Sequence, residues 1–236
     1  MRKKRLLILL WAIITALPAT AQWSIGVSGG YAYNYYNYDP QYMSGLDYKG
    51  HHGFAVDLPV NYRFNNWLSL SSGLSFQKKG FVLNGSYIPE GSEEPYVFYS
   101  DFRRNDSYFV VPIMAEFSLG SEKWEGFMNL GCYAGWWRSS MYEFEEIRTI
   151  MIQNMWNMSY NGKATREFNN DIDQRMEFGG VVGLGLKWNL FKSVSLFSDA
   201  RASIAFTPQQ KDYQIMHFPS RNITVTAQLG LLYHFN

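Results

Sequence analysis

Cysteine is almost absent: Cys132 stands alone in 236 residues, so no intramolecular disulfide can brace the fold. A dominant charge of one sign is missing too. The 21 Lys and Arg are matched by 20 Asp and Glu, which leaves no basic field for nucleic acid. Long apolar runs are confined to the N-terminus, and beyond residue 21 no window has the length and hydrophobicity of a membrane helix. Mean hydropathy is slightly negative, a value that would class the chain as soluble. That inference fails for a spanning β-barrel, whose strands hide their polar half from lipid.

What is present begins with a leader. "MRKKRLLILLWAIITALPATAQ" sets Arg2 to Arg5 before an apolar stretch from Leu6 to Leu17, and Ala19-Thr20-Ala21 follows. Basic segment, apolar segment and small-residue site in this order describe a cleaved secretory signal over 1–21. The expected mature domain is then 22–236. The leader holds four of the bases and none of the acids, so the remainder carries 17 bases against 20 acids, a net of −3.

The remainder repeats with a period of two. Trp23, Ile25, Val27, Tyr31 and Tyr33 alternate with Ser24, Gly26, Ser28, Gly30 and Ala32. Phe54 to Phe64, Leu68 to Phe76, Phe109 to Leu119 and Met128 to Trp136 alternate in the same way, as do Phe178 to Trp188, Val194 to Phe206 and Ile223 to Phe235. Each run is about ten residues, the length that crosses a bilayer when tilted. The connections alternate as well: 65–66, 120–125 and 189–192 are short, whereas 34–51, 78–106, 137–176 and 207–220 are long. The expected fold is all-β, a transmembrane eight-stranded antiparallel up-and-down barrel with tight periplasmic turns and both mature ends in the periplasm.

In such a barrel one face is bulky and greasy, and the other is glycine, serine and a few charges. Lipid takes the first and a narrow lumen the second, where glycine leaves space for neighbours such as Tyr133 and Arg201. Pro59 and Pro112 fall on the inward face, where a bulge or an unpaired position is expected. Aromatic girdles are expected at both strand ends, with Trp23, Tyr62, Phe64, Trp67, Phe117, Trp188, Tyr233 and Phe235 at one. Tyr31, Tyr33, Phe76, Phe109, Trp136 and Trp137 mark the other.

Five stretches, in order, carry a family resemblance: Tyr108 to Ile113, Gly131 to Gly135, "EFGGVVGLGL", Asp199-Ala200-Arg201 and Tyr233-His234-Phe235. Together they resemble the PorT-like outer-membrane β-barrel family of Gram-negative bacteria. The resemblance implies an eight-stranded outer-membrane barrel and, through a few relatives, a link to type IX secretion.

Candidate sites follow from the inward charges. Arg201 is expected to pair with Asp57, Glu116 or Asp199, because an isolated buried charge is expensive. The resulting network either plugs the lumen or gates a narrow ion path. His51 and His52 with Asp47 form a poor chelate, since adjacent strand residues face opposite ways. His217 and Ser220, with Asp212, are the nearest approach to a lipid-modifying catalytic set. Tyr35, Tyr36 and Trp156 are candidate contacts on surface loops. Tyr233 and Phe235 resemble the signal read by the barrel assembly machinery. The expected role is structural or interactive, displaying loops at the surface as a monomer in outer-membrane lipid, without catalysis, metal or cofactor. An accessory of a secretion system is the alternative, and a narrow porin or a lipid-A-modifying enzyme comes after it.

Overall fold

The computed structural model describes residues 22–37, 46–87, 96–152, 154–211 and 220–235. The expected signal over 1–21, His217 and Asp212 lie outside the described residues. Nine strands form: β1 (Gln22–Asn37), β2 (Leu46–Arg63), β3 (Leu68–Tyr87), β4 (Tyr96–Gly120), β5 (Trp124–Ile152), β6 (Asn154–Thr165), β7 (Met176–Phe191), β8 (Val194–Ala205) and β9 (Arg221–His234). β1 to β5 pair in succession, β5 then pairs with β7, and β7, β8 and β9 continue the ring. β9 closes it on β1, with Ser24 opposite His234 and Asn37 opposite Arg221. Every pairing is antiparallel, and the result is a closed eight-stranded barrel. Closure leaves no strand of the ring with an open edge, the condition that a β-structure must meet in lipid.

Side-chain parity sets inside and outside. Leu184 and Leu229 are 64% and 65% exposed, whereas Ser28, Ser75 and Thr226 on the opposite face are buried. Glycine on the inner face gives bulky neighbours their space. A Cβ at Gly179 would lie 2.5 Å from the Tyr133 ring, and one at Gly183 would lie 2.9 Å from Cγ of Arg201. A transverse row of Pro59, Gly73 and Pro112 crosses β2, β3 and β4. The β1–β2 ladder is interrupted between Ile25–Val60 and Ser28–Asp57, where Pro59 stands. The β3–β4 ladder is interrupted between Ser72–Ile113 and Ser75–Val110, where Pro112 stands. Each proline still pairs on its other side, Pro59 with Gly73 and Pro112 with Tyr133. The missing N–H therefore removes ladder bonds without shifting the register. Gly73 has φ +150°, and a Cβ there would sit 2.3 Å from the carbonyl oxygen of Leu58, so only glycine fits between the prolines.

The barrel's two ends differ. At the turn end, tight connections join β2 to β3, β4 to β5 and β7 to β8. Rings pair there at Trp23–Tyr62 (4.8 Å), Trp124–Trp188 (5.0 Å) and Tyr233–Phe235 (5.1 Å). At the other level an arc runs Phe54–Phe76–Phe109–Trp136, with centroids 6.1, 5.5 and 6.4 Å apart. Beyond this arc the strands do not stop where the alternation fades. β4 has 25 residues and β5 has 29, far more than the ten or so that span a membrane. The segments read from sequence as loops over 34–51, 78–106 and 137–176 are thus largely strand. In the last of these, β6 doubles back along β5 in unbroken register from Met141–Thr165 to Ile152–Asn154. A five-stranded sheet built from the upper parts of β2 to β5 and from β6 stands above the extended end.

Candidate functional site

The lumen holds a column of ion pairs in four layers. Nearest the turn end, Arg63 Nη2 donates to both oxygens of Glu125 at 2.5 and 2.8 Å. In the same layer Lys187 pairs with Glu116 and stands 3.9 Å from Glu125. In the middle layer Arg201 Nη1 donates to Asp57 at 2.9 Å and its other arm pairs with Asp199, while Ser75 Oγ donates to the second Asp57 oxygen at 2.5 Å. Above it, Lys79 Nζ donates to Glu177 at 2.7 Å, joined by Tyr133 OH at 3.0 Å and by Asn222 Nδ2. The ammonium also lies 4.6 Å from the centroid of Tyr108. At the extended end, Arg104 clasps Asp106 through Nε and Nη2, the shortest contact being 2.7 Å. Its guanidinium lies 4.7 Å over Trp137.

Of the charges expected from sequence, the structure joins Asp57, Asp199 and Arg201 and sends Glu116 to Lys187 instead. Height along the bore decides this. Lys187 on β7 and Glu116 on β4 reach the lumen near the turn end, below Arg201. Lys79, Arg104 and Asp106 were missed because they sit in a stretch read as loop. Their inward parity continues from Ser75 and Gln77 on β3 and from Tyr108 on β4, which is the signal that could have found them.

Two more expectations change. Tyr36 was expected on a surface loop, yet it is 1% exposed and donates to Asp106 at 2.8 Å. β1 runs on to Asn37, so Tyr36 follows the inward parity of Ala32 and Asn34, while Tyr35 keeps the outward one. The Tyr36 layer lies beyond the aromatic arc, and burial pushes its phenol up from its ordinary value against the pull of Arg104, keeping it a neutral donor. Trp137 was expected in a girdle; Trp136 takes that place, and its neighbour turns inward, 1% exposed, against Tyr108. The backbone of Trp156 lies on β6, and its side chain is outside the described residues. Tyr233 and Phe235 close the turn end, where Phe235 N donates to Trp23 O at 2.8 Å. Asp47 pairs with Lys49, and among the described residues no group of three metal-ligating side chains forms.

The extended end is also capped. Residues 166–175 and 207–211 bridge across it through Asp173 and Gln210, and Phe168 packs on Trp137 at 4.8 Å. Gln209 reaches down from this cap, donating to Tyr108 OH at 2.5 Å and to Tyr36 and accepting from Arg104. Between the middle and upper layers a void of about 30 Å³, lined by Ser75, Tyr133 and Arg201, has room for a water or two.

The model of the family described as "Outer membrane protein beta-barrel domain" matches residues 18–209. No curated protein matches the sequence. Among solved structures the chain is similar to Ail, the attachment invasion locus protein of Yersinia pestis, at 17% identity over 90% of this chain and 98% of that one, with a TM-score of 0.39. It is similar to OprG from Pseudomonas aeruginosa at 10% identity over 90% and 96%, TM-score 0.47. A major outer membrane protein from Thermus thermophilus is similar at 11% identity over 92% and 100%, TM-score 0.46.

Proposed function

The chain belongs to the outer membrane protein β-barrel domain family, and from that premise we propose a sealed, non-catalytic barrel whose working surface is the sheet above its extended end. The observation that carries this reading is the pairing of a filled lumen with three strands, β3 to β5, that are two to nearly three times as long as a membrane needs. A barrel that conducted would not spend four layers of ion pairs on its axis. A barrel that only anchored would not build a five-stranded sheet in water.

On this reading the turn end faces the periplasm, the extended end faces outward, and the barrel is a monomer in the outer membrane of a Gram-negative cell. Tight turns on one side and long elements on the other support that orientation. Tyr233 and Phe235 at the close of β9 suit recognition by the barrel assembly machinery. The narrower PorT-like assignment, with its link to secretion, rests on the sequence motifs alone.

The exposed sheet has polar chemistry on its outer face. Arg103 is directly opposite Glu143, and Glu143 is opposite Lys163, which donates to it at 2.8 Å. The Lys163 hydrogen bond holds the Glu143 carboxyl below its usual range. A partner protein at the cell surface is the expected occupant. Replacing residues 145–161 by Asn-Gly leaves Phe144 and Gly162 as the last pair of a tight hairpin. The barrel is then expected to fold and to lose a surface partner captured by the wild-type chain from intact cells. Retention of that partner would remove the sheet from the account. In planar bilayers, wild type and Arg201→Ala are both expected to pass negligible current, because the Lys79–Glu177 and Lys187–Glu116 layers still fill the bore. Porin-sized steps in either would overturn the seal.

A further inference from the structure

Seven cations among the described residues form no ion pair there, and Lys78, Arg138 and Arg175 are the three of them that stand over rings of the aromatic arc. The ladder brings them to neighbouring positions: Lys78 is opposite Ser107, Ser107 is opposite Ser139, and Arg175 donates to the Arg138 carbonyl. Lys78 Nζ stands 5.9 Å over Phe76. The Arg138 guanidinium lies 6.0 Å over Phe109, and that of Arg175 lies 5.3 Å over Trp136. These rings are successive members of the aromatic arc at the extended end; Arg175 lies between that arc and the cap, with its guanidinium also 4.3 Å from the centroid of Phe168.

The backbone prepares this arrangement. Ser107 pairs with Ser139 but Tyr108 pairs with Trp137, so Arg138 is the extra residue of a bulge and is pushed outward, exposed. Arg175 Nε donates to the Trp137 carbonyl at 3.1 Å and Nη2 to the Arg138 carbonyl at 3.4 Å, which fixes its plane and leaves Nη1 free. Lys78 donates one of its three hydrogens to Ser107 Oγ at 2.7 Å. Arg138 makes no side-chain hydrogen bond to the described residues. The remaining donors belong to one strip of wall, one step above the aromatic belt.

We propose that this strip binds the phosphorylated headgroup of an outer-leaflet glycolipid, the phosphate meeting Lys78, Arg138 and Arg175 while the acyl chains cover Phe76, Phe109 and Trp136. Guanidinium forks suit phosphate oxygens, and a cation at the edge of an aromatic belt is at the height of lipid headgroups. The lack of acidic partners follows: a carboxylate there would compete with the ligand. The proposal rests on the reading above that the extended end faces outward.

The test uses the mature chain refolded in neutral detergent, with binding followed by native mass spectrometry. The probes are bis-phosphorylated lipid A, the same lipid with both phosphates removed, and inorganic phosphate. The bis-phosphorylated lipid is expected to bind at least tenfold more tightly than its dephosphorylated form, and inorganic phosphate is expected not to displace it. K78Q/R138Q/R175Q is expected to lose about fiftyfold in affinity for it, and each single substitution about fivefold. K123Q/K192Q, at the turn end, is expected to bind as wild type does. Equal binding by wild type and the triple variant, or by the two lipids, overturns the proposal, and displacement by inorganic phosphate overturns the glycolipid. The single variants decide the matter if the triple variant does not refold. Labelling of Asn161→Cys, in a Cys132→Ser background, by a membrane-impermeant thiol reagent on intact cells tests the orientation separately. Failure there removes the outward reading and leaves the binding measurement standing.

Discussion

Arg201→Met is expected to lower the stability of the folded barrel by about 3–5 kcal/mol, the usual cost of breaking a buried ion pair from one side. Arg201 holds two carboxylates at once. Asp57 keeps the Ser75 hydroxyl after the substitution, but Asp199 has no hydrogen-bond donor to replace the guanidinium and is 5% exposed. Two like charges are then left facing each other across a narrow bore, close to Gly183, whose missing side chain is what admits arginine at all. Methionine fills much of that volume, so the loss reports charge more than packing. Urea unfolding of the refolded barrel in lipid vesicles measures it. The triple variant R201M/D57N/D199N is expected to recover most of the loss, since replacing all partners of a buried charge cluster by neutral groups is close to neutral. A single R201M variant within about 1 kcal/mol of wild type would show that water already solvates this layer.

Lys79→Met is expected to cost about 3–4 kcal/mol by the same measurement. Lys79 is wholly buried, and its loss leaves Glu177 with the neutral donors Tyr133 and Asn222. Those donors soften the penalty without cancelling a buried negative charge. The ammonium also loses its place over the Tyr108 ring. K79M/E177Q is expected to regain at least half of the loss. If it stays as unstable as K79M, the lysine stem, not its charge, was the stabilising part.

The barrel itself was legible in the sequence because lipid imposes a simple rule. Between the aromatic belts most outward residues are greasy and most inward ones small or polar, so Val182 and Gly183 declare their faces without any structure; Met114, Phe127 and Phe197 are apolar residues that point inward. Pro59 and Pro112 were legible for a related reason: an imide in a ladder must leave a gap, and both do. The rule ends where the membrane ends. On the upper parts of β3, β4 and β5, water wets the outer face, and Arg103 outside alternates with Arg104 inside. Polarity no longer distinguishes the faces, the period of two disappears from the composition, and strand reads as loop. Lys79, Arg104, Asp106 and Tyr36 were hidden by that loss of contrast. Which base meets which acid was not legible either, because it depends on the relative heights of strands far apart in sequence, such as β2 and β8.

β9 meets β1 along most of its length, so the first segment of the ring to be synthesised is completed by the last. Until Arg221–His234 emerges, both β1 and β8 present open margins of backbone amides and carbonyls that nothing in the nascent chain can cover. Such a polypeptide carries two sticky margins until its last ring strand is made. A late stop codon would therefore cost the entire cylinder, not one stave of it.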